Sequence, residues 1–182
     1  MFKPVRIRIV TKIDNGAKES ALMLDDVSRY TLEATLGESG EEADNSIMNE
    51  INASDDGNPV MLEAKGTLYS EDGQIKLEYT SHLCAPFPTT VTYRFGEDTR
   101  NALTVQRQSL FERVYFFDTA CKSQTVFYEA EDSSIELSIY TKSLKNHLNY
   151  EDGGYIEIEY FAQLRGGMLE HCREYVLVEP IQ

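Results

Sequence analysis

QIKLEYT, residues 74–80, decides the fold. Ile75, Leu77 and Tyr79 fall on one side of an extended chain, and Lys76 and Glu78 fall on the other. Side chains of a strand point alternately to its two faces, so this pattern describes an antiparallel strand with one dry face and one wet face. SIELSIYT (134–141) and YIEIEYFA (155–162) repeat it, with Ile135, Leu137 and Ile139 opposite Glu136 and Ser138, and Ile156, Ile158 and Tyr160 opposite Glu157 and Glu159. From Val60 to Val178 such bursts follow one another with hardly any helix-period pattern between them. A long meander of half-buried strands must hide its edges, and closure into a barrel does so. The expected fold is all-β: a single antiparallel, mostly up-and-down β-barrel of about 8–10 strands.

Outward from QIKLEYT, the chain reads as hairpins. Asp72-Gly73 lies between two alternating runs, VMLEAKGTLY (60–69) and QIKLEYT, and is a strong two-residue turn signal. SHLCAPFP (81–88) carries two prolines and reads as a loop, TTVTYRF (89–95) as a strand and GEDTRN (96–101) as its turn. ALTVQR, ERVYFF and SQTVFYEA follow on short connections. KSLKNHLNYEDGG (142–154) is a longer crossing, a helical turn or a strand extension, closed by Asp152-Gly153-Gly154. In VFYEA, Val126, Tyr128 and Ala130 share one face and Phe127 and Glu129 the other, and the pattern leaves open which side is inward.

The N-terminus, MFKPVRIRIVTKID, lacks the apolar stretch of a signal peptide and reads as a first strand over Val5–Ile13. No stretch approaches the roughly 20 apolar residues of a membrane helix. Three cysteines, Cys84, Cys121 and Cys172, are an odd number at wide spacing, which argues against a disulfide framework and for a reducing cytoplasm. All three are expected to be small buried hydrophobes.

The net charge of −14 argues against nucleic acid and against an anionic membrane surface as partners. It is concentrated: residues 14–58 hold twelve acidic side chains against Lys18 and Arg29. This segment reads as an insertion after the first strand, either a solvated excursion or a lid or docking segment for a basic protein partner. YTLEATL (30–36) within it alternates and has the pattern of a strand.

The residues for catalysis are present, but their arrangement is not. His82 near Cys84, and His171 beside Cys172, are the only His/Cys neighbours, and neither has the paired spacing of a structural zinc site. No nucleophile-elbow motif frames a serine, and no glycine-rich loop has a phosphate-cradling pattern. No cofactor, metal or catalytic residue is expected.

One arrangement resembles a known family: Arg107 in LTVQRQS (103–109), the aromatic strand TVFYEA (125–130), IELSIYT (135–141) ending in Thr141 with Leu144 three residues on, and GGYIEIEY (153–160) ending in Tyr160. This resembles the YwiB-like family of small bacterial proteins, a domain of unknown function with a calycin-type, lipocalin-like barrel. The resemblance spans the first strand and roughly residues 60–178, leaves out the acidic insertion, and implies a fold without a reaction. Ser109 and Ser133 stand where the family pattern has glycine.

Arg107 is the candidate binding residue. A guanidinium near a strand end, among Tyr93, Tyr128 and Tyr160, suits a ligand carboxylate held by a bidentate fork. Calycin barrels often hold fatty or aromatic acids in this way, so the resemblance implies the same ligand class. The expected function is non-catalytic binding of a small apolar or amphipathic, anionic ligand. Docking through the acidic segment 14–58 is the alternative, and an enzyme of unrecognised chemistry the third reading.

Overall fold

A computed structural model describes residues 1–14, 59–82, 88–109, 112–130, 133–164 and 169–181. The acidic insertion beyond Asp14, Cys84, and the glycines Gly166 and Gly167 lie outside the described residues. The rest is an all-β fold of ten strands. They are β1 (Phe2–Asp14), β2 (Val60–Glu71), β3 (Gln74–Ser81), β4 (Thr89–Gly96), β5 (Thr99–Gln108), β6 (Glu112–Asp118), β7 (Ser123–Ala130), β8 (Ser133–Asn146), β9 (Gly154–Leu164) and β10 (Leu169–Pro180).

Every ladder is antiparallel, in the order β6-β5-β4-β3-β2-β1-β10-β9-β8-β7. The sheet curls into a nearly closed barrel, as the alternating bursts require. Its seam lies between β6 and β7, the two ends of the order, where the Phe116 amide donates to Gln124 Oε1 at 2.7 Å. The up-and-down order sets the C-terminal ends of β1, β3, β5, β7 and β9 at one end of the barrel. The β2–β3, β4–β5, β6–β7 and β8–β9 turns and both described termini collect at the other.

Local chemistry sets the hairpins. Asp72 and Gly73 both take positive φ, 50° and 71°, the paired left-handed conformation of a two-residue turn whose twist matches its strands. The crossing at 142–154 resolves as strand to Asn146, then a tight return in which Asn149 bridges Gly153. There Leu148 is fully buried, and Lys3 Nζ donates to the carbonyls of Tyr150 and Glu151 at 3.0 and 2.8 Å, tying the return to β1. A register shift in the β8–β9 ladder between Thr141 and Ser143 brings Thr141 and Leu144, an odd number of residues apart, into line with the inward residues Tyr160 and Ile158. The β7 ambiguity also resolves: Val126 pairs with buried Leu137 and packs on the core, while Phe127 is 64% exposed.

The lumen is layered. Along β10 the inward positions run Glu170, Cys172, Glu174, Val176 and Val178, from polar to apolar. β5 shows the same gradient through Arg107, Val105 and Leu103, and β9 through Tyr160, Ile158 and Ile156. At the apolar end Val5, Ile7, Leu68, Ile75, Leu77, Phe95 and Leu148 form one buried hydrophobic cluster. Each such side chain contributes about 1.5–3 kcal/mol by leaving water.

The cysteines divide, against the expectation that all three are buried. Cys172 is buried, but Cys121 sits exposed in the short β6–β7 connection. The neighbours His171 and Cys172 also divide. His171 stands on β10 facing out, stacks on Phe161 with centroids 4.8 Å apart, and meets Glu159 at 2.8 Å, whereas Cys172 faces in.

Candidate functional site

Three of the four sequence-selected residues face the polar layer of the lumen. Arg107 and Tyr93 lie on adjacent strands, with Arg107 opposite Val91 and Tyr93 opposite Val105 in the β4–β5 ladder. Tyr160 lies on β9 across the lumen, its ring 5.0 Å from that of Phe117 on β6. Tyr128 stands opposite Ile135 in the β7–β8 ladder, and its side chain is outside the described part of the structure.

The residue that joins the layer is one the sequence reading passed over. Glu174 of β10 is 4% exposed. Its Oε1 accepts from the Tyr93 hydroxyl at 2.8 Å and its Oε2 from Arg107 Nη2 at 3.1 Å. Arg107 also lies over the Tyr115 ring, 5.8 Å from its centroid. So the guanidinium picked out for a ligand carboxylate already holds a carboxylate of its own chain. The signal was present in CREYVLV, where Glu174 falls in phase with inward Val176 and Val178.

This layer favours neutral hydroxyls and thiols. Burial, and then the Glu174 charge, hold the Tyr93 hydroxyl well above its usual pKa, and burial does the same for Tyr160. Burial pushes the Cys172 thiol up to about 12, against the hydrogen bond it shares with Tyr160. Cys172 therefore remains an unreactive thiol at neutral pH. Among the described residues no group of three or more His, Cys, Asp and Glu side chains is placed to hold a metal ion.

A cavity of about 630 Å³ opens in the wall between β2 and β3. The β2–β3 ladder pairs Gly66–Glu71 with Gln74–Tyr79 and stops there, although β2 pairs with β1 back to Val60. Beyond Gly66 and Tyr79 the two strands splay. Leu62, Ala64, Gly66, Tyr79 and Ser81 line the cavity from the inward face, and Glu63, Lys65, Glu78 and His82 stand on its rim. A Cβ on Gly66 would sit 2.5 Å from both the Glu78 carbonyl oxygen and Ile7 Cδ1, so only glycine allows the close approach at which the strands part. The cavity adjoins the polar layer through Tyr79, whose ring stacks on that of Tyr93 at 6.4 Å.

A family description for a domain of unknown function, DUF1934, matches residues 46–174. The chain belongs to this family. The DUF1934 match takes in Tyr93, Arg107, Tyr128, Tyr160 and Glu174, its last residue, and leaves β1 and most of the acidic insertion outside it. No curated protein and no solved structure matches the chain. No helix of the described DUF1934 chain is long and apolar enough to cross a membrane.

On the outer wall, Glu159 meets Lys142 at 2.7 Å, His171 at 2.8 Å and Arg173 at 3.6 Å. Burial acts to raise its pKa, but the hydrogen bonds from Lys142 and His171 outweigh this and hold the carboxyl below its usual range. A lowered folded-state pKa stabilises the protein above the ordinary carboxylate pKa, and the contribution is lost as pH falls through the lowered value. The stability difference between the native chain and Glu159→Gln is therefore expected to be full at pH 7 and to shrink below about pH 4. Urea unfolding of both proteins at pH 7 and pH 3 measures it, and a difference independent of pH contradicts this assignment.

Proposed function

We propose that this DUF1934 protein is a non-catalytic binding module for a small apolar or amphipathic molecule, admitted through the β2–β3 cavity. The observation that carries the reading is the cavity itself. At about 630 Å³ it is within the range of small-molecule sites, and Tyr79, which lines it with Leu62 and Ala64, stacks on Tyr93 of the neighbouring layer of Tyr93, Glu174, Arg107 and Tyr160. An apolar body would lie against Leu62, Ala64 and Tyr79, and a polar end would meet the layer beyond. The kinship with YwiB-like, calycin-type bacterial proteins and a cytoplasmic setting belong to the same proposal, supported by the sequence arrangement around Arg107 and by the free thiols of Cys121 and Cys172.

Native mass spectrometry of the protein as purified, together with fluorescence titration with N-phenyl-1-naphthylamine, tests the reading. The expected result is a small-molecule adduct or saturable probe binding at one site, weakened at least ~10-fold by Ala64→Trp, which fills the cavity. Neither adduct nor saturable binding in the folded native protein overturns it.

A further inference from the structure

We infer that the ligand's polar end carries no negative charge, because the Arg107 guanidinium that would hold an anion is already paired with buried Glu174. The inference rests on the proposed cavity site and narrows its ligand class. Judged from sequence alone, Arg107 favoured an anion. The geometry points the other way.

Glu174 is 4% exposed, and both of its oxygens are engaged, one by Arg107 and one by Tyr93. For an anionic ligand to take the guanidinium as a fork, Arg107 must release Glu174. A carboxylate would then be buried without its counter-charge beside a second anion, a penalty of more than ~100-fold in affinity. The rim acids are balanced in the same way, Glu63 lying 3.4 Å from Arg6 and Glu78 lying 2.5 Å from Lys76. An uncharged donor or acceptor, such as an alcohol, an amide, an amine-linked aromatic or a phenol, can join the tyrosine hydroxyls without breaking the pair.

Two probes with one skeleton separate the possibilities. N-phenyl-1-naphthylamine is uncharged, and 1-anilinonaphthalene-8-sulfonate is the same molecule bearing a sulfonate. The native protein is expected to bind the uncharged probe at least ~30-fold more tightly. Glu174→Gln keeps an acceptor for Tyr93 and frees Arg107, so the preference is expected to fall ~10-fold or more through a gain in sulfonate affinity, which misfolding would not produce across a matched pair. Glu174→Gln combined with Arg107→Gln is expected to lose that gain and keep uncharged-probe binding. Arg107→Gln alone serves if Glu174→Gln fails to fold, and is expected to reject the sulfonate more strongly than the native protein does.

Equal binding of the two probes by the native protein, or an unchanged preference in Glu174→Gln, overturns the inference while leaving the cavity site standing. Failure of both probes to bind, with no small-molecule adduct on the purified protein, overturns the cavity reading itself, and this inference with it.

Discussion

Glu174→Ala is expected to lose about 3–5 kcal/mol of folding stability. The change leaves the Arg107 guanidinium without its carboxylate and the fully buried Tyr93 hydroxyl without its acceptor. Removing one partner of a buried pair costs far more than the net worth of the pair, because the remaining charge keeps its desolvation penalty. The Arg107 side chain is 27% exposed, so water can reach part of it, and the lower end of the range is the better expectation. Urea unfolding of the native and variant proteins at neutral pH measures the loss. A loss under about 1 kcal/mol shows that the layer is wetter than its geometry implies. Tyr93→Phe removes only the hydroxyl and should cost less than Glu174→Ala, about 1–2 kcal/mol.

Gly66→Val is the second large effect, expected at about 3 kcal/mol or more. Its Cβ would meet the Glu78 carbonyl oxygen and Ile7 Cδ1, each at 2.5 Å. Ile7 can shift its terminal methyl, but Glu78 is backbone within the β3 ladder and is also paired with Thr92 of β4. Relief therefore requires β2 to move away from β3, which widens the cavity and strains the β1–β2 ladder on its other side. Thermal unfolding monitored by near-ultraviolet circular dichroism reads the loss. A substitution tolerated within about 0.5 kcal/mol shows that the strands have room the geometry denies. Gly73, whose Cβ would meet nothing, is the contrast: it matters through its positive φ rather than through space.

The barrel was legible because strand periodicity is a local property. Ile75, Leu77 and Tyr79 alternate with Lys76 and Glu78 whatever the strand pairs with, and the Asp72-Gly73 turn needs only its own backbone conformation. The spacing of Thr141 and Leu144 breaks the alternation, and the β8–β9 register shift accounts for it. The face of β7 was not legible. Val126 and Phe127 are both apolar, and only pairing with Leu137 puts Val126 inside.

The site was legible by half. Arg107, Tyr93 and Tyr160 carried a visible signal, a cation and phenols at strand positions. What each would touch depends on strands far apart in sequence: Glu174 reaches Arg107 across 67 residues and Tyr93 across 81. The wall cavity left no local mark apart from Gly66, because it is an absence of pairing between two strands that each look ordinary.

By itself, then, the sequence determined an all-β chain of hairpin-linked, one-face-dry strands, with the acidic charge set apart from them, since those properties belong to neighbouring residues. Only the tertiary structure decided that β6 and β7 form the seam, that β2 and β3 part at Gly66, and that Arg107 is spent on Glu174. Closing a barrel brings residues from opposite ends of the chain into one low-dielectric space, and there a charge is defined by its partner rather than by its place in the sequence.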